Sequence, residues 1–171
     1  MKKLFVPIFL FTAILTVELS AQENRAGKIG IGYSGNLSAH SNELGMSFWV
    51  SDLITIEPMV GFQSIEIEDN SATAWRLGLG CLYRFNDFGV SPYIGARIKD
   101  YLVDGSDKTY SDLVFSLAFG GEYFLSEWFS VGAEMRLNYV KTDKEFSPAY
   151  GIPDVSIYES EQVLNIRLYF K

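Results

Sequence analysis

The sequence predicts an all-β fold, an eight-stranded antiparallel up-and-down transmembrane β-barrel. Three observations predict it. Apolar and polar residues alternate in eight separate stretches between Lys28 and Phe170, the connections between them alternate in length, and aromatic residues gather near the ends of the apolar faces. Successive side chains of a strand point to opposite sides, so alternation describes a strand with one apolar and one polar face. The clearest case runs from Leu113 to Val140. There Phe129, Val131, Ala133, Met135, Leu137 and Tyr139 oppose Ser130, Gly132, Glu134, Arg136 and Asn138. The preceding arm repeats the pattern, and only Ser126-Glu127-Trp128 separates the two. This is a hairpin whose arms exceed the usual strand of roughly 5–6 residues.

Taken in order, residues 1–21 predict a cleaved secretory leader. Lys2 and Lys3 precede an apolar stretch, and Ser20-Ala21 supply small residues before Gln22. The stretch is interrupted by Pro7 and Glu18 and is shorter than the ~20 residues of a spanning helix. Residues 22–171 then form one barrel domain. Loss of the leader removes two lysines and one glutamate, taking the formal net charge from −7 to about −8. So acidic a chain lacks the clustered basic side chains that nucleic acid requires. Cys81 is the one cysteine, so the fold holds without an internal disulfide.

The same period-two test gives the strands. They are predicted at Lys28 to Ser34, Glu43 to Ser51, Ile54 to about Ile65, Ala74 to Phe85, Val90 to about Leu102, the two arms of the hairpin, and Gln162 to Phe170. Pro58 in the third cannot donate to a ladder and marks a weak point or a bulge. The connections after strands two, four and six are tight. Those after one, three, five and seven are longer and polar, the longest spanning 141–161.

Alternation alone does not say which face is inside; a soluble lipocalin-like barrel would turn its apolar face inward. Here the polar face mixes glycines with Glu57, Arg76, Arg84, Arg97, Lys99, Glu122, Glu134, Arg136 and Arg167, which suits the narrow interior of eight strands. Trp75, Tyr83, Phe85, Phe88, Trp128, Phe129, Tyr139 and Phe170 would form the two interfacial belts. No helix follows the last strand to cover a soluble barrel. Lipid is therefore expected outside. Hydrocarbon offers backbone groups no partners, so strand one must close on strand eight. Short periplasmic turns and longer extracellular loops follow, with the cell outer membrane as the location. Glu66, Glu68, Asp69, Asp104, Asp107, Asp143, Glu145, Asp154, Glu159 and Glu161 are expected in the outward-facing loops.

The closing segment LNIRLYFK, with Leu164, Ile166, Leu168 and Phe170 on one face, resembles the C-terminal strand by which barrel-assembly machinery recognises its clients; Lys171 follows the aromatic. SPYIGARI and FSLAFGGEYFLSEWFSVGAEMRLNY resemble the small outer-membrane β-barrel superfamily, of the OmpA/OmpX-like eight-stranded kind. The resemblance covers Gly27 to Phe170. It implies the barrel alone, without a periplasmic domain, and says little of activity.

Glu57, Arg97, Glu134 and Arg136 are expected at mid-depth of the lumen, either as an internal ion-pair plug or as a selectivity ring. The plug is the reading adopted, since eight strands leave little lumen and confined charges must be paired. His40, the one histidine, sits beside Ser41 in the first outer loop. A serine-histidine pair with Asp69, Asp104 or Glu43 would make a lipid A-modifying enzyme, but a solvated loop histidine is the simpler reading. Cys81 reads as a small apolar residue on the lipid face. Neither zinc-ligand spacing nor a calcium loop is present, and the glycines lie inside strands, so no metal or cofactor is expected. The functional expectation is a structural or surface-interaction barrel, serving adhesion or envelope integrity, with its interior plugged. A narrow small-solute pore is the alternative and the enzyme a second. The expected partners are outer-membrane lipid, lipopolysaccharide, the assembly machinery, and an extracellular partner at the 141–161 loop.

Overall fold

The computed structural model describes residues 25–37, 42–67, 70–85, 90–104, 109–147 and 150–170, of which 63–67, 70–73 and 104 are described by backbone alone. Its strands are β1 (Ile29–Asn36), β2 (Asn42–Trp49), β3 (Ile54–Ile67), β4 (Asn70–Arg84), β5 (Val90–Asp104), β6 (Thr109–Ser126), β7 (Phe129–Lys141) and β8 (Ser156–Phe170). Each pairs antiparallel with the next, and β8 pairs with β1 to close the barrel. The leader, His40, Asp69 and Phe88 lie outside the described residues.

The register runs through outward-facing residues from Ile29 to Phe48, Ile56, Cys81, Ala96, Leu117, Leu137 and Ser160. Val163 of β8 stands opposite Asn36, so this row returns to β1 beyond Asn36. Such a stagger tilts the strands by about 40°. The apolar face points outward on every strand: Phe62, Leu77, Leu117, Leu137 and Ile166 are all exposed. Along β7 the outward row from Phe129 to Tyr139 covers ten residue steps, which at ~3.3 Å each and this tilt span about 25 Å, the height of a membrane barrel's apolar band. Aromatic pairs mark its two edges. Tyr83 with Phe85 and Trp128 with Phe129 lie at the end holding the short turns. Phe62 with Trp75 and Tyr139 with Tyr158 lie at the other.

Several strands run farther than their apolar stretches. β4 begins at Asn70 rather than Ala74, β6 at Thr109 rather than Leu113, and β8 at Ser156 rather than Gln162. Beyond the apolar band water can solvate either face of a hairpin, so pairing continues where alternation fades. The connection expected at 141–161 shrinks to 142–155. Glu161, expected in it, belongs to β8 and points inward with 6% exposure. Pro58 makes a gap, not a bulge: β2 pairs β3 from Glu43–Gly61 to Gly45–Met59 and resumes at Phe48–Ile56 in unchanged register. Among the described residues the register shifts at Phe124/Ser126, beside the tight turn of the β6–β7 hairpin.

Candidate functional site

The barrel interior is where the chain concentrates its chemistry. Residues of one parity on each strand meet there, and the long charged ones stand opposite glycines. A Cβ on Gly80 would come 2.6 Å from Arg97 Nη1, and one on Gly30 would come 2.6 Å from Tyr169 Cε1. Only glycine leaves those side chains room.

The charged groups form one connected chain. Nearest the short turns, Glu122 Oε2 lies 2.7 Å from Arg84 Nη1 and 2.9 Å from Arg167 Nη1. Glu122 also accepts from Tyr169 Oη (2.6 Å) and from the Ser130 hydroxyl. Arg167 Nη2 reaches Glu57 Oε1 at 3.1 Å, and Glu57 Oε2 accepts from Arg97 Nη2 at 2.9 Å. Arg97 then passes to Glu134 through Nη2 (2.7 Å) and Nε (3.1 Å), while Tyr93 Oη donates to the same carboxylate at 2.9 Å. Glu134 also accepts from Arg136 Nε, whose Nη1 reaches Glu43 Oε2 at 3.0 Å. Lys99 Nζ closes the chain on Glu43 Oε1 at 2.6 Å, with Glu161 Oε2 3.7 Å away. Five cations face five carboxylates: Arg84, Arg97, Lys99, Arg136 and Arg167 against Glu43, Glu57, Glu122, Glu134 and Glu161. All ten side chains are buried.

Eight of the nine lumen residues singled out from the sequence lie in this chain. The ninth, Arg76, lies farther toward the loop end and stacks over the Tyr101 ring with Cζ 5.0 Å from its centroid. The four residues expected at mid-depth do meet, through Arg97–Glu57, Arg97–Glu134 and Arg136–Glu134. Sequence reasoning missed Glu161 as an interior member, although it shares parity with Asn165 and Arg167. It named Glu43 only as an acidic candidate for the serine-histidine pair. Glu43 is bound to Lys99 and Arg136. Among the described residues a cavity of about 20 Å³ lies against β1 and β2, lined by Gly32, Ser34, Gly45, Ser47 and the charges around Arg97. That is room for about one water.

Both mouths are furnished as well. At the short-turn end Arg25 lies with its guanidinium 3.5 Å from the Phe124 centroid, and its backbone N–H donates to Asp52 Oδ1 at 2.9 Å. Arg84 stacks on Trp49 beside it, at 4.6 Å. At the loop end, buried Asp112 holds the β7–β8 connection through the Asp143 N–H (2.8 Å) and the Ser147 hydroxyl (2.7 Å), and the Tyr110 and Phe146 rings stack at 5.3 Å. Ser147 is wholly buried, so this connection folds inward over the opening. Burial, then a hydrogen bond to Glu159, pushes the Tyr150 phenol above its ordinary pKa. Leu164, Ile166, Leu168 and Phe170 all point outward from β8.

The outer membrane protein β-barrel domain family matches residues 8–157. The chain belongs to that family. Its place is the cell outer membrane, with the tight turns on the periplasmic side and the longer loops outside. Two solved barrels are similar in fold. The N-terminal β-barrel domain of Pseudomonas aeruginosa OprF is 14% identical with a TM-score of 0.57, over 86% of this chain and 100% of that one. Neisserial surface protein A is 17% identical with a TM-score of 0.51, over 84% of this chain and 94% of that one. Sequence comparison with curated proteins finds no match. Among the described residues of this outer-membrane barrel no group of three or more histidine, cysteine or acidic side chains is arranged to hold a metal.

Proposed function

We propose that this outer-membrane barrel is a sealed scaffold with a structural or surface-interaction role, in adhesion or envelope integrity. The observation supporting it is the network of five cations and five carboxylates across the lumen, in which the cavity beside Arg97 has room for about one water. A conduit for solutes needs a continuous aqueous path, and opening one here would strip buried charges of their partners, at several kcal/mol per ion. On this reading what the cell uses is the outer surface. The connection over residues 142–155, tethered by Asp112, exposes Phe146 and Ile152, and Tyr158 beside it is 80% exposed; these make the contact with an extracellular partner. Outer-membrane lipid and lipopolysaccharide surround the wall, and Leu164, Ile166, Leu168 and Phe170 are the strand read by the assembly machinery.

Conductance of the purified protein in a planar bilayer tests the seal. Baseline current is expected, and a reproducible ion-selective current overturns the reading. Deletion of Asp143 to Asp154, with membrane insertion scored apart from binding of cells to host-like surfaces, tests the contact. Binding is expected to fall while insertion persists.

A further inference from the structure

Among the described residues polar side chains on the lipid-facing surface are few: Asp100 on β5, opposite Leu77 and Leu113, accepts from the Ser111 hydroxyl, and the others gather at one place. On β8 the outward positions between the belt residues Tyr158 and Phe170 are Ser160, Gln162, Leu164, Ile166 and Leu168. Gln162 stands opposite Met135, and Ser160 opposite Leu137, so both lie inside the oily band. Next to them on β1, Gly35 stands opposite Leu164 on one side and Asn42 of β2 on the other. Gly35 leaves a dip there, its outward side bounded by the Asn42 amide and the Tyr33 ring, the nearest atoms a Cβ would meet, at 3.9 and 3.7 Å. Two carboxamides, a hydroxyl and a missing side chain thus share one stretch of wall facing hydrocarbon. Acyl chains cannot hydrogen-bond, and an amide left unpaired among them costs free energy.

The relief on either side of β8 is also matched. Toward β7 and β6 runs an apolar groove of about 690 Å³, lined by Phe115, Leu117, Leu137, Tyr139 and Tyr158. Toward β1 stands Leu37, 64% exposed, level with Gln162 because its N–H donates to the Gln162 carbonyl at 2.9 Å. A two-fold axis along the membrane normal keeps depth unchanged and exchanges left for right. It would set Gln162 against Gln162, and Leu37 of each copy against the groove of the other.

We propose that the wall centred on Gln162, from the β6–β7 groove across β8 to Leu37 at the end of β1, is the contact between two copies of this chain within the membrane. A carboxamide both donates and accepts, so this patch is complementary to itself, as a two-fold contact requires. The two Gln162 amides then pair across the seam where lipid could not serve them, and Asn42, two strands from the axis, lies at its edge.

The test uses the full-length gene product purified from outer membranes and returned to phosphatidylcholine bilayers. Its monomer–dimer equilibrium is followed by energy transfer as lipid is diluted in. The wild type is expected to dimerise, and Gln162→Leu to raise the dissociation constant about tenfold. Heat-modifiable gel mobility reports whether that variant is a closed barrel; leucine on a lipid face is compatible with one. A Gln162→Cys, Cys81→Ser chain gives a second readout in intact membranes. It is expected to cross-link through a short bismaleimide, while wild-type Cys81, exposed on β4, does not. A wild type that stays monomeric at every lipid ratio overturns the proposal. So does an unchanged dissociation constant in the closed-barrel Gln162→Leu variant, or cross-linking at Cys81 equal to that at position 162.

Discussion

Replacing Glu134 by glutamine removes one charge from the centre of the interior while keeping its shape. Glu134 is fully buried and serves Arg97 twice, Arg136 and the Tyr93 hydroxyl. The amide can accept from some of these donors, but the balanced network becomes net positive, with Arg97 left on Glu57 and Arg136 on Glu43 and Glu161. Breaking a buried pair at one partner costs about 3–5 kcal/mol, whereas an exposed pair is worth at most about 1 kcal/mol. The protein has an internal control in Lys141–Asp154, separated by 3.3 Å with side chains 45% and 65% exposed. Urea unfolding in lipid vesicles, followed by tryptophan fluorescence and gel mobility, is expected to give a loss of about 3–5 kcal/mol for Glu134→Gln and under about 1 kcal/mol for Lys141→Met. Equal small losses would refute the reasoning, because they would mean water screens the interior as it screens the rim.

Other perturbations separate the faces and the mouths. Gly80→Val places atoms where Arg97 lies and is expected to cost about 1–3 kcal/mol in the same assay. Leu117→Arg, on the lipid side near mid-band, is expected to cost about 2–4 kcal/mol, measured by folding into vesicles. Asp112→Ala releases the Asp143 N–H and the Ser147 hydroxyl, each worth about 1 kcal/mol. Limited proteolysis between residues 143 and 154 should then quicken roughly tenfold or more, with the barrel still resistant to heat-free detergent.

Which residues face inward was legible because parity is a local property of the chain. Trp49, Tyr93 and Tyr169 could be assigned to the inner face although they are aromatic, since their strands alternate around them, and Tyr93 and Tyr169 carry hydroxyls that donate to Glu134 and Glu122. Partner choice was not legible. Glu57 meets Arg167, 110 positions away, only because closure of the barrel brings β3 and β8 to facing sides of a narrow lumen. Strand ends above the membrane were obscured for another reason. The segment SIYESE alternates poorly because Ser156 and Ser160 share its outward face with Tyr158 and its inward face meets a polar mouth, yet its backbone still pairs with Lys141, Val140 and Tyr139. Glu161 was lost with it.

Most ion pairs inside the wall skip the neighbouring strand. Glu57 on β3 ties to Arg167 on β8 and Arg97 on β5, Glu43 on β2 to Arg136 on β7, and Glu122 on β6 to Arg84 on β4. They act as spokes across a hoop whose rim is held by backbone pairing. A bilayer pushes sideways on whatever it encloses, and a hoop without spokes yields by flattening. The spoked cross-section should hold its roundness when membrane thickness or lateral pressure changes, so the arrangement of the exterior loops would track the rim rather than the lipid.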